Sequence, residues 1–120
     1  MEFTLLIYSD PAGLEKLSQA QATEVLNAYG AYTGALQSAG VYRGSNRLRP
    51  THTATTVRVK SGKTEVLNGP YVETREQLGG YFLIDVKDLD AALSWAAKCP
   101  AASHGVVEVR PVWPRSEFEG

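Results

Sequence analysis

Thiol chemistry is almost missing from this chain, since Cys99 is the one cysteine among 120 residues. A lone thiol makes no intrachain disulfide, so a hydrophobic core must hold the fold. The two histidines, His52 and His104, lie far from each other in sequence. No zinc-type Cys/His spacing arises, and no metal is expected. Long apolar runs are lacking too: nothing approaches the roughly 20 residues of a membrane span. The opening "MEFTLLIYSD" has no basic lead-in, which argues against a signal peptide. An excess of positive charge is also wanting. Lys and Arg number 12 against 13 Asp and Glu, a net charge of −1. A phosphate-binding surface needs clustered bases, so direct nucleic-acid binding is not expected. The densest basic group, Arg43, Arg47 and Arg49, reads as a solvated loop. Nucleotide-binding glycine loops and a Ser-His-Asp order are missing as well, so no organic cofactor is implied. These absences together predict a cytoplasmic protein with neither metal nor membrane partner.

What is present is ordinary globular material, with 43% apolar and 21% charged residues. "FTLLIY" (3–8) reads as a buried strand, followed by a turn cluster, "SDPAG". Ser18 with Gln21 has capping-box spacing, and Ala22, Val25, Tyr29, Tyr32, Leu36 and Ala39 recur every three or four residues. That pattern predicts a long amphipathic helix stopped by Gly40. Gly30 and Gly34, one turn apart, either open a notch for another backbone or ligand or are simply tolerated at the surface. "TATTVRVK" and residues 63–67, joined by Ser61-Gly62, predict a hairpin. A strand over 81–86, a helix capped by Asp88 and stopped by Pro100, and a strand over 106–112 follow. The order predicts an α+β domain over 1–113, with two helices on one face of an antiparallel sheet. That is the ferredoxin-like split βαβ plan with an added hairpin, trailed by a polar tail, 114–120.

The run "NGPYVETREQLGGYFLIDV" (68–86) combines turn signals, charges and a strand. Asn68, Gly69 and Pro70 suit a tight turn. Thr74 with Gln77 has capping-box spacing, which predicts one helical turn over "REQL" ended by Gly79 in a left-handed conformation. Tyr71, Glu73, Arg75 and Glu76 are not required by that turn. They either hold a polar ligand or form a solvated surface. On the last strand, Glu108 and Arg110 share one face, as an ion pair or an anion clamp. His104 at its start is a candidate acid, base or hydrogen-bonding loop residue, whereas His52 reads as surface. Cys99, at a helix C-terminus, reads as an inert structural thiol.

The 68–86 run closely resembles the signature of the DGPF branch of the YCII-related family, typically Asp-Gly-Pro-Phe-Ala-Glu-Thr-Lys-Glu. Asn68, Tyr71, Val72 and Arg75 replace four of its residues. "LLIYSD", "AYGAYTGALQSAGV", "TATTVRV", "GGYFLIDVKDLDAALSWAAKCPA" and "HGVVEVRPVW" extend the resemblance over nearly the whole chain. It implies a homodimer in the form of a dimeric α+β barrel. It also implies a regulatory or stress setting, with a functional link to extracytoplasmic-function sigma factors. The His–Asp pair of the wider family does not carry over: Tyr29 and its neighbours fill the helix position, and Cys99 precedes Pro100 where the Asp would stand. The expected function is a small-molecule-binding module whose site draws on His104, Arg110, Glu73, Arg75, Glu76, Tyr71 and Tyr29, at the edge between the corner and the last strand. The alternative is a cofactor-independent small-molecule enzyme of the dimeric α+β barrel type.

Overall fold

Alternation along the first strand divides the molecule into two faces. In β1 (Glu2–Ser9), Phe3, Leu5 and Ile7 are buried while Thr4, Leu6 and Tyr8 are half-buried on the other side, as a period of two requires. The structure, a computed structural model, describes residues 1–118. After β1 come a short helix α1 (Pro11–Glu15), the long helix α2 (Gln19–Ser38) and β2 (Tyr42–Arg47). A hairpin, β3 (Thr55–Lys60) and β4 (Lys63–Asn68), precedes β5 (Gln77–Asp85), α3 (Leu89–Lys98) and β6 (Val106–Pro111).

The main sheet has the order β2-β5-β1-β6, and every neighbouring pair is antiparallel. β1 and β2 therefore run parallel with β5 between them, and β5 and β6 run parallel with β1 between them. Two β–α–β crossovers interlock, the geometry of a split βαβ unit. Both crossover helices cover the same face. Tyr32 and Leu36 of α2 join Ala92 and Ala96 of α3 in one core with Phe3, Leu5, Ile7, Phe82 and Ile84. Tyr32 meets Phe82 edge-on at 5.1 Å between ring centres, and its hydroxyl donates to the Trp95 carbonyl at 2.7 Å. The hydrogen bond makes burial of the phenol affordable.

Local signals account for most boundaries. Ser18 and Gln21 form the expected capping box, and Asp88 accepts from the Ala91 N–H. Ser61 and Gly62 both have positive φ, +53° and +74°, the turn that matches strand twist in a two-residue hairpin. The α2 stripe overreaches the sheet: Tyr32 and Leu36 are buried, but Ala22 and Ala39 are exposed. Among the described residues, nothing outside the helix's own backbone lies within 4 Å of where a side chain at Gly30 or Gly34 would stand, so the notch is open.

Several expectations fail. The "SDPAG" turn is a helix, α1, capped by Asp10, because Pro11 fits a first helical turn. Of the basic group, which is exposed as expected, Arg43 and Arg47 belong to the edge strand β2, held by main-chain pairing to β5 and not by an apolar pattern, and Arg49 follows it outside any strand. "REQL" is not helical: residues 75 and 76 form a bend, and Gln77 and Leu78 already pair with Ser9 and Tyr8. Nor does Gly79 have a left-handed φ. Ile7 faces Gly80 while Tyr8 faces Leu78, so Gly79 is the extra residue of a β-bulge, its carbonyl accepting from Leu48 N–H at 2.9 Å. The bulge turns Leu78 to the Tyr8 side. Gly80 is the close approach of the pair: a Cβ there would lie 2.8 Å from the Asn46 carbonyl oxygen. In the polar tail, Arg115–Glu117 makes a short 3-10 turn, and residues 119 and 120 lie outside the described residues. No helix among the described residues is long and apolar enough to cross a membrane.

Candidate functional site

The C-terminal end of β1 gathers segments from distant parts of the chain. Ser9 pairs with Gln77 at the start of β5, and Tyr8 pairs with Val106 at the start of β6. The residues leading into those two strands, 73–76 and 104–105, therefore flank the place where β1 ends. Asp10 stands between them. Its carboxylate accepts from Ala12 N–H at 2.9 Å and from Arg75 Nε at 3.1 Å. The Ala12 N–H first, and the Arg75 guanidinium second, hold the Asp10 carboxyl below the usual carboxylate range.

Closure of the hairpin root brings a third segment to the same end. Gly69 N–H donates to the Ala54 carbonyl at 2.7 Å, and the Thr56 hydroxyl donates to the Gly69 carbonyl at 2.8 Å. The 3-10 turn Thr51–Thr53 is thereby set beside the 70–77 corner, and the Thr51 hydroxyl donates to Gln77 Oε1 at 2.6 Å. Between them is a cleft of about 410 Å³, lined by Thr51, His52, Pro70, Glu73, Thr74, Arg75 and Gln77. Its walls offer hydroxyls, an amide, an imidazole, a carboxylate and a guanidinium. Such a mixture suits a small polar molecule with both donors and acceptors.

The sequence-predicted residues distribute unevenly around this cleft. Glu73 and Arg75 line it, and the exposed Glu76 lies on the same corner. Tyr71 lines a neighbouring cleft of about 230 Å³ with Thr56, Arg58, Glu65, Leu67 and Pro70, its ring 5.6 Å from the Arg58 guanidinium carbon. His104 is exposed on the far side of β1, roughly 10 Å away across two strand spacings. Arg110 faces Thr4, four residues along β6 from Val106, which is roughly 13 Å down the strand. There it pairs with Glu108 at 2.7 Å, and Glu108 also accepts from the Tyr8 hydroxyl at 3.3 Å. The Arg110 partner holds the Glu108 carboxyl low, and Glu108 in turn raises Arg110.

Tyr29 is on the helix side of the sheet, stacked on Phe82 at 6.4 Å and 8°. Burial, then the Cys99 thiol beside it, pushes its hydroxyl up to about 12. Burial also pushes the Cys99 thiol up, so thiol and phenol both stay protonated near neutral pH. His52 is exposed, as its sequence context predicts, and it also borders the cleft because hairpin closure brings it to the corner. Asp10, outside the lining, reads in sequence as a turn residue; it is the cap of α1 and the partner of the lining residue Arg75. Among the described residues, no three His, Cys, Asp or Glu side chains form a group able to hold a metal ion.

The Asp10–Arg75 pair yields an expected pH dependence. A carboxyl lowered in the folded state stabilises above its unfolded pKa, and that stabilisation is lost as pH falls through the lowered value. Arg75→Ala should raise the Asp10 titration midpoint in carboxyl NMR. The stability gap between variant and native protein should be present at neutral pH and close at acid pH. It should be small and salt-sensitive, because the Arg75 side chain is 89% exposed. A midpoint unchanged in the variant contradicts the pairing.

A YCII-related domain profile matches residues 1–116. A protein of Rhizobium meliloti (strain 1021), described as uncharacterized, is 37% identical over 114 residues, which cover 93% of this chain and 92% of that protein.

Proposed function

This chain belongs to the YCII-related family, and on that premise we propose that it is a small-molecule-binding protein whose ligand occupies the cleft between the Thr51–Thr53 turn and the 70–77 corner. The observation that carries the reading is the convergence of Thr51, His52, Glu73, Thr74, Arg75 and Gln77 around one volume of about 410 Å³. That size and mixed lining suit a small polar metabolite, and Gln77, whose Oε1 is already engaged by Thr51, has its amide hydrogens to offer. His104, exposed before β6 on the other side of β1, is outside the cleft lining. Arg110 serves as a partner to Glu108, on the open face of the sheet.

The protein acts as a homodimer. The open face carries Leu6, Tyr8, Leu78, Tyr81 and Leu83 beside Glu108, and a sheet with helices on one side leaves such a face to be covered. The resemblance of residues 68–86 to the DGPF branch supports a regulatory or stress setting in the cytoplasm, in functional association with an extracytoplasmic-function sigma factor.

Thermal melting against a panel of small polar metabolites tests the binding reading. At least one compound should raise the melting temperature of the native protein. Glu73→Gln combined with Gln77→Ala should abolish the rise while melting alone close to the native value. Equal rises in both proteins would place the ligand elsewhere.

A further inference from the structure

The hairpin β3–β4 stands away from the body that carries it. Among the described residues its two strands have their only extensive contact with each other, and every residue in them except Thr56 is exposed. The Cα radius of gyration is 16.7 Å, against roughly 14 Å for a compact chain of this length. Six residue pairs make an arm roughly 20 Å long. The root is braced by the Gly69–Ala54 and Thr56–Gly69 hydrogen bonds, so the arm is held out in a defined direction.

The register assigns its side chains to two unlike faces. Val57 faces Val66, Val59 faces Thr64 and Thr55 faces Asn68, which puts these six uncharged residues on one side. Arg58, Glu65, Lys60 and Lys63 share the other side with Thr56 and Leu67, where Tyr71 and Pro70 fold over the root. Among the described residues the uncharged side is left open to solvent: Val57, Val59 and Val66 are 61%, 65% and 59% exposed. A two-stranded ribbon is marginal alone in water, and an apolar one invites pairing.

We propose that this hairpin is a dimerisation arm whose uncharged face packs against a second copy of the chain. The inference deepens the homodimer reading above and rests on it. Two observations select a second copy as the occupant. The first is charge. The arm, residues 55–68, carries three bases and one acid, hence +2, and the remaining 106 residues carry nine bases and twelve acids, hence −3. The arm of one chain is therefore attracted to the body of another. The second is extent. The uncharged arm face spans roughly 200 Å² in projection and the open sheet face roughly 400 Å², from strand spacing and rise. Neither alone reaches the roughly 800 Å² per partner of a stable interface, whereas a twofold pair that engages both surfaces approaches it.

The arm's root borders the candidate cleft on both sides, since Thr51 and His52 precede β3 and Pro70 follows β4.

Sedimentation equilibrium on the full chain tests the arm with the double substitution Val57→Glu, Val66→Lys. These residues face each other, so the new charges can pair across the hairpin, and net charge is unchanged. The native protein should be a dimer at micromolar concentration, and the variant's dimer should be weaker by roughly 100-fold, as expected when buried apolar anchors are replaced by charge. Its circular dichroism and monomer melting should match the native protein. A native protein that is monomeric overturns both the homodimer and the arm. A native dimer matched by an equally tight variant dimer overturns the arm and leaves pairing through the open sheet face. A variant that loses its secondary structure also overturns the arm, because the hairpin would then be holding its own body together.

Discussion

Gly105→Ala should lower the melting temperature by about 10 °C or more, the largest effect expected of a single added methyl in this chain. Gly105 leads into β6 where that strand meets the end of β1. A Cβ there would stand 2.2 Å from the Tyr8 carbonyl oxygen and 3.3 Å from the Ser9 Cα. The obstacle is backbone that pairs with both Gln77 and Val106, so no side chain can swing aside. Displacing it costs about 3 kcal/mol, the upper end of the usual scale of overpacking. Gly79→Ala is the matched control: its φ is not left-handed and nothing lies within 4 Å of the added carbon. That variant should stay within about 1 kcal/mol of the native protein. A Gly105→Ala protein that melts with the native would contradict the junction of β1 and β6 at which the candidate site is built.

Leu36→Ala should destabilise the fold by about 3–4 kcal/mol in denaturant unfolding, without altering the slope. Leu36 is fully buried, and with Tyr32 it forms the whole of α2's deep contact with the sheet. The first half of the helix gives little in return: residues 19–24 are exposed, and Leu26 is 58% exposed. Few other side chains can take up the space. A loss under about 1 kcal/mol would mean that α2 is held by something other than this core.

Wherever a local signal and the tertiary demand coincide, the chain is readable. "FTLLIY" alternates because one side meets helices and the other does not. Ser18 with Gln21, Asp88, and Ser61-Gly62 act within a few residues of themselves, so their sequence meaning survives folding. The misreadings share the opposite property. "YRGSNR" has no apolar alternation, yet it is a strand because β5 offers its edge to whatever chain lies beside it. Thr74 and Gln77 have the spacing of a helix cap, but Gln77 is claimed by Ser9, 68 positions earlier, and the sheet outweighs one weak turn. Gly79-Gly80 looked like a helix stop and is a bulge beside a close backbone approach, a distinction that depends on where Asn46 passes.

The site follows the same division. Glu73 and Arg75 could be singled out because turn chemistry left them unexplained. His52 could not, since it joins them only after the hairpin closes between Ala54 and Gly69. Asp10 meets Arg75 across 65 residues. Arg110 was legible as a partner for Glu108, but its distance from the corner depends on strand register, which a sequence of alternating valines does not reveal.

Amide chemical-shift mapping with a compound that raises the melting temperature tests the central claim most directly. Shifts concentrated at Thr51, His52 and Glu73 to Gln77, with smaller changes along the hairpin root, are what the account predicts. Shifts concentrated instead at Leu6, Tyr8, Tyr81 and Glu108 on the open sheet face, with the 51–52 and 73–77 amides unmoved, would contradict it.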